Sequence, residues 1–294
     1  PIIIIGSGAG GLTAAVALAQ ASKKVLVLEQ HEVAGGWTHS FTLNGYRFSP
    51  GVHYIGGLGS GGRLRGIYEG LGVSQDLEFC EINPDGFDHV FVGDERFDIP
   101  RGKETFAARL KERFPHEVAG IDGYLDAVED LMGSLAKLGR VNNPGSAATA
   151  VPDAVSVLRL ARASGQDLIE QYVNDPLLKA ILAAQAGDYG TPPSEVSVFM
   201  HAGITRHYVD GAYYPRGGGF AIPRAFVRAL KRAGGEIRLQ TSVQQILIED
   251  GRAVGVCLAD GEEVRAQAVI SNADPEVCFG RLVGREQLPK KVAA

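Results

Sequence analysis

The sequence predicts an α/β chain. A parallel-sheet domain is entered at the N-terminus, left for a mixed and mainly helical insertion, and entered again near the end. Three observations predict this. A β-branched run opens the chain and passes straight into a glycine-rich loop and an alanine-rich segment. The middle third then turns to helical stripes instead of continuing a regular strand–helix alternation. Late in the chain "AVISNADP" reads once more as a buried strand. With 294 residues, two domains are expected.

The elements follow in order. Ile2 to Ile5 is a continuous β-branched run, as a strand buried on both faces requires. Gly6, Gly8 and Gly11 form G-x-G-x-x-G, and a helix is predicted from about Gly10 to Ala21. Gly6 permits the tight turn, Gly8 a close backbone approach to a pyrophosphate, and Gly11 close helix–strand packing. Val25 to Leu28 is the second strand, and Glu29 stands at its end, where a carboxylate binds a ribose hydroxyl pair. Strand, loop, helix, strand and acid fall in register, so this is a Rossmann-like dinucleotide cradle. A second glycine pair, Gly35-Gly36, suits a longer cofactor that runs on past the first helix, which favours FAD over NAD.

Next come two short strands around Asn44-Gly45, then "GVHYIGG", and a short helix from Leu64 to Leu71. Strand patterns with turns at Asp85-Gly86 and Gly93-Asp94 precede helical stripes from Glu104 to Leu138, broken at Pro115. "NNPGSAATAVP" reads as a loop, Val155 to Tyr172 as one helix, and Leu177 to Ala186 as a short one. The triple glycine Gly217–Gly219 has neither a feeding strand nor the cradle spacing. It reads as the turn by which the chain re-enters its first domain. The helix after it carries Ile222, Phe226 and Leu230 on one face, and a meander with hairpin turns at Asp250-Gly251 and Asp260-Gly261 follows. The expected division is 1–75 for the first part of the nucleotide domain, 76–205 for a helix-rich substrate domain, and 206–294 for the return, incomplete at its end. Pro1 leads directly into a strand and "LPKKVAA" ends without a closing element, so a fragment of a longer protein is expected.

Composition excludes some classes. Net charge is −5, and no basic field awaits a nucleic acid. Cys80, Cys257 and Cys278 form no CxxC pair and read as buried thiols of a reducing, cytoplasmic setting. No apolar run is long enough to span a bilayer. Peripheral membrane contact is left open, as is the oligomeric state. His201 and His207 have no carboxylate at ligand spacing, so no metal is assigned. Arg206 and Arg216 read either as anchors for a phosphate or substrate head group or as surface ion pairs.

The chain resembles the FAD-dependent amine oxidase and phytoene desaturase superfamily, nearest its retinol saturase and carotenoid isomerase branch. "GSGAGG", "AGGWTHSF", "GVHYIGG", "GDYGTPPSEVSVFMHAGITRHYVDGAYYPRGGG" and "VISNADP" carry the likeness. It implies that Gly6, Ser7, Gly8, Gly10 and Gly11 hold the pyrophosphate and that Gly35 and Gly36 pass along its second phosphate. It also implies that Glu29 binds the adenosine ribose, that Val243 meets the adenine through its backbone, and that His53 and Tyr54 lie on the flavin side of the substrate chamber. Trp37 stands where the desaturases carry Arg. The implied substrate is an apolar polyene, and the implied reaction a saturation, desaturation or isomerisation. The flavin takes or gives hydride while the protein handles a proton. His53, Tyr54, His207 and Tyr208 are the candidates for that general acid work, each also readable as a packing residue. A flavin-dependent amine oxidase and a non-catalytic nucleotide-binding fragment stay open as alternatives. Without the closing segment of the family's longer chains, residues 1–294 are expected to hold FAD weakly and to reduce no polyene.

Overall fold

The computed structural model describes residues 1–288. They fall into two compact units. The first takes in Pro1–Tyr54, Arg63–Cys80 and the chain from Tyr214 onward; the second takes in Ile55–Gly62 and Glu81–Tyr213.

The first unit is built on a four-stranded parallel sheet. β1 (Ile2–Ile5) lies at its centre, between β2 (Val25–Leu28) and the strand Ala268–Ser271, and Glu236–Arg238 adds to β2 at the far side. Ile2 stands opposite both Val25 and Ala268, so the late strand returns to the opening one as the sequence predicts. The two-residue strand period divides the apolar run between two faces. Ile3, Ile5, Leu26 and Leu28 pack with Val243, Ile246, Val256 and Leu258 of the meander and with Cys278 and Leu282. Ile4 and Val27 point the other way and are also fully buried. Each such side chain contributes about 1.5–3 kcal/mol through burial, which is why a four-residue strand suffices.

α1 (Ala9–Gln20) buries Leu12, Ala15, Val16 and Ala19, and packs against the helix Ala221–Arg232, whose Ile222, Phe226 and Leu230 are buried. The meander is an antiparallel sheet of Val243–Glu249, Arg252–Leu258 and Glu263–Arg265. Asp250 and Gly251 both have positive φ, 49° and 72°, as a tight right-twisted hairpin demands. Asn44 and Gly45 do the same between Phe41–Leu43 and Tyr46–Phe48. Gly217 and Gly218 turn the chain at φ 92° and 83°, and the Gly219 N–H donates to Ser49 Oγ at 3.1 Å. This is a turn, as expected, and not a second cradle. The stretch 289–294, most of "LPKKVAA", lies outside the described residues.

The second unit holds a hairpin, Asp88–Val92 with Glu95–Ile99, and a set of helices of which Val118–Leu138 is the longest. The predicted break at Pro115 separates it from Lys103–Arg113. Two expectations are corrected here. The predicted loop at 142–152 contains a helical turn, Pro144–Thr149, because the Asn143 side chain accepts from the Ser146 N–H at 2.9 Å. The predicted helix Val155–Tyr172 is two helices, Val151–Arg159 and Gly165–Tyr172. Ser164 starts the second: its Oγ accepts from the Asp167 N–H at 3.1 Å, and its own N–H donates to the Asp167 carboxylate at 2.8 Å. Among the described residues no helix is long and apolar enough to cross a membrane. Of the three cysteines only Cys278 is buried. Cys80 is exposed and Cys257 half-buried, against the expectation of three buried thiols.

Candidate cofactor cleft and proton-handling residues

The loop after β1 and the chain after β2 wall a cleft of about 480 Å³ within the first unit. Gly6, Gly8, Glu29, Gly35, Gly36 and Val243 all line it, so six of the nine residues assigned to the cofactor are brought together. Local geometry explains the glycines. Gly6 has φ +89°, a conformation open to glycine and strained for other residues. A β-carbon on Gly36 would come within 3.1 Å of Gly8 Cα, and one on Gly8 within 2.8 Å of Asn272 Nδ2. Gly8 and Gly35 form a parallel bridge, so the two glycine segments are one continuous surface. Gly8 also caps α1 without a side-chain hydrogen bond, and no acid stands in that helix's first turn. The orphan N–H groups there favour an anion.

Ser7, Gly10 and Gly11 do not line the cleft with the other six, and each has a structural contact of its own. Ser7 is fully buried, and both its N–H and its hydroxyl donate to Glu29 Oε2, at 2.8 and 2.5 Å. Its Oγ also accepts from the Gly35 N–H at 3.2 Å. Ser7 therefore ties the acid, the first loop and the second glycine pair together from behind. A β-carbon on Gly11 would overlap the Gly6 carbonyl oxygen, so this glycine lets α1 pack on the loop. One on Gly10 would stand 2.6 Å from Asn272 Oδ1.

Glu29 is almost wholly buried. Besides the two bonds at Oε2, its Oε1 accepts from the His31 N–H at 2.9 Å. A carboxylate has about four acceptor sites, so one on Oε1 is left for a hydroxyl in the cleft. The cradle and this acceptor fit the pyrophosphate and ribose of a dinucleotide.

Several lining residues were not read as site residues: Asn272, Thr241, Ser242, Val277 and Arg281. Asn272 sits in the quoted "VISNADP", and its backbone N–H donates to the Ile5 carbonyl at 2.8 Å, which sets it beside the loop. Its place at the end of the returning strand, next to the glycine loop, was the available signal.

The four proton-handling candidates are distributed differently. His53 is exposed and Tyr54 half-buried in the first unit, both outside the lining of the cleft. His207 and Tyr208 end the helix Val198–Tyr208 in the second unit. His207 Nε2 accepts from the Gly56 N–H at 2.9 Å, so its ring proton sits on Nδ1, and burial lowers its pKa. A β-carbon on Gly56 would overlap the His207 carbonyl oxygen, so only glycine allows that approach. Tyr208 is buried against Phe87 and the His207 ring, and desolvation raises its pKa, so the phenol stays protonated. On the same helix His201 is buried between two phenols, Tyr124 Oη 2.8 Å from Nε2 and Tyr189 Oη 3.3 Å from Nδ1. Burial pushes its pKa down to about 4. Arg206 pairs with Glu129 and Asp210, and Arg216 with Glu78, so the ion-pair reading of both arginines describes their contacts.

A parallel sheet with a glycine cradle at the carboxyl ends of β1 and β2, and an acid closing the second strand, defines a dinucleotide-binding α/β protein. Comparison with known proteins makes this specific. The family described as flavin containing amine oxidoreductase matches residues 9–283, and the chain belongs to it. The chain is 35% identical over 297 residues to all-trans-retinol 13,14-reductase of Danio rerio, across 92% of this chain and 47% of that protein. It is 31% identical to the chloroplastic prolycopene isomerase of Arabidopsis thaliana, across 98% of this chain and 50% of that one. The chain thus spans about half the length of the curated relatives it matches. Among solved structures, an oxidoreductase from Methanosarcina mazei superposes with a TM-score of 0.68 at 21% identity, over 99% of this chain and 62% of that one, a likeness of fold. The resemblance read from the motifs and the predicted fold class both hold.

Proposed function

We propose that this chain carries the FAD-binding part of an oxidoreductase that acts on carbon–carbon bonds of a long apolar polyene, retinoid- or carotenoid-like. The observation that carries the reading is a double one. The chain aligns over nearly all its length with two proteins named for conjugated polyene substrates, and its own cleft has the cradle and acid that a dinucleotide needs. When bound, FAD supplies the hydride chemistry. In this reading the first-turn N–H groups of α1 and the Gly8–Gly35 surface hold the pyrophosphate. Glu29 takes a ribose hydroxyl on its remaining acceptor site, and the backbone at Val243 meets the adenine. Like charge at Glu29 disfavours a 2′-phosphate.

The second unit is proposed as the substrate domain. Proton delivery to the polyene is proposed for His53 and Tyr54. His207 is a poorer general acid, because a neutral imidazole with Nε2 already accepting has no labile proton there. Tyr208 keeps its proton, held by burial and by the nearby carboxylates of Asp188 and Asp88.

The test is anaerobic mixing of the flavin-loaded protein, in its longest natural form, with retinoids, carotenoids and amines in separate runs. Turnover of a polyene, with flavin absorbance following the reductant, is the expected result. Bleaching of the flavin by an amine would assign amine oxidation instead. Failure of any form to take up flavin would leave only a nucleotide-binding fragment.

A further inference from the structure

The cleft has a charge problem. A pyrophosphate brings two negative charges, and the charged side chain closest to the cradle is an acid, Glu29. Backbone N–H groups offer dipoles and no net charge. Among the described residues lining the cleft there is one Lys or Arg, and it is Arg281.

Arg281 reaches the cleft through an unusual element. Glu276–Gly284 is a π-helix, whose hydrogen bonds run from i to i+5. Residues four and five apart therefore share a face, and Val277, Arg281 and Leu282 all line the cleft together. Cys278 and Leu282 meanwhile bury into the sheet's core and fix the helix there. Arg281 itself is exposed and makes no ion pair or hydrogen bond with any described residue. Its neighbour Arg285 takes the nearby acid, bonding Glu276 at 2.7 Å. A guanidinium held beside a cleft, with the local carboxylate already engaged by another arginine, is set up to meet an anion.

We propose that Arg281 is the cationic ligand of the cofactor's pyrophosphate, presented by the π-helix across the cleft from the Gly6–Gly8 loop. This rests on the dinucleotide reading of the cleft and names the charge that completes it. A bidentate guanidinium–phosphate pair is strong and directional, and it discriminates phosphate-bearing ligands from their nucleosides.

The experiment uses the protein in its longest natural form, freed of flavin, with ADP and adenosine as probes in isothermal titration calorimetry. Arg281→Ala should lower ADP affinity about ten- to a hundredfold and leave adenosine affinity within about twofold. Arg281→Lys, which keeps the charge and loses the fork, should recover part of the ADP affinity. Thermal unfolding by circular dichroism confirms that each variant is folded, and an exposed position makes that the expected result. Equal loss of ADP and adenosine in Arg281→Ala would place the side chain on the base and overturn the proposal. Unchanged ADP binding would remove Arg281 from the site while leaving the nucleotide reading intact. A wild-type protein in that longest form that binds neither probe would sink the dinucleotide reading, and the role of Arg281 with it.

Discussion

Replacing Glu29 by Ala should damage both the fold and the site, and the two losses can be separated. Three hydrogen bonds end on the carboxylate, from the Ser7 N–H, the Ser7 hydroxyl and the His31 N–H. They are not equal. His31 is exposed, so its N–H turns to water when the carboxylate goes. Ser7 has no exposed surface, so its N–H is left without a partner, at a cost of about 1–3 kcal/mol. Losing the hydroxyl bond to a charged acceptor adds about 1 kcal/mol or more. A total of about 2–4 kcal/mol in unfolding free energy is expected, read from urea denaturation curves. Glu29→Gln keeps the shape, and its carbonyl can accept from Ser7, so about half that loss is expected. Its amide then faces the ribose with the charge gone. Adenosine and FAD should therefore bind about 1–3 kcal/mol more weakly in the folded Gln variant. Unchanged stability in Glu29→Ala would refute the account of Ser7. Unchanged nucleotide affinity in Glu29→Gln would remove the acid from the site.

Gly11→Ala should destabilise the protein by about 1–3 kcal/mol, because its β-carbon overlaps the Gly6 carbonyl oxygen and drives α1 off the loop. Gly66→Ala, in a helix with open space around it, is the control and should be neutral or stabilising by up to about 1 kcal/mol in the same denaturation assay. His201 gives a pH dependence with a defined sign. Its folded pKa, about 4, lies below the ordinary 6.5, so between these values the unfolded chain binds the proton and the native one does not. Its contribution to stability is present above pH 6.5 and is lost as pH falls toward 4, by about 3 kcal/mol in all at about 1.36 kcal/mol per pH unit. The stability difference between wild type and His201→Gln should change across that window, and an imidazole proton resonance titrating near 6.5 would contradict the burial argument.

The nucleotide half of the molecule was legible in the sequence because its signals are local. A four-residue apolar run, a glycine spacing and an acid at a strand end each act within a few residues of chain. Even the return of Ala268–Ser271 to β1 was readable, since a buried parallel strand needs a neighbour on both sides. The tie from Ser7 to Glu29 was not legible, because the motif names a position and cannot show which way an N–H points. The helix break at Ser164 was available as S-x-x-D and was overridden by the apolar stripe on both sides. Helix Val198–Tyr208 is only weakly signalled by the sequence. It contains Gly203 and the β-branched Val198, Ile204 and Thr205, which weaken local propensity, and its buried face of Val198, His201, Ala202 and Tyr208 mixes polar with apolar residues. Arg281 was hidden for a different reason: periodicity searches use 3.6 and 2 residues, and a π-helix obeys neither.

The strand order of the main sheet also bears on how the chain is made. β1 and β2 leave the ribosome early, but β1's other neighbour begins at Ala268 and β2's at Glu236. At about 5–20 residues per second, synthesis from Leu28 to Ala268 occupies on the order of ten to fifty seconds. Until Glu236 is made a two-stranded Ile/Val/Leu ribbon has both edges open, and the β1 edge stays open until Ala268; such edges pair readily with other chains. Yield of soluble protein should therefore fall when it is synthesised at high concentration. The contacts that finally close the sheet span most of the sequence, so refolding from denaturant should be slow and sensitive to protein concentration.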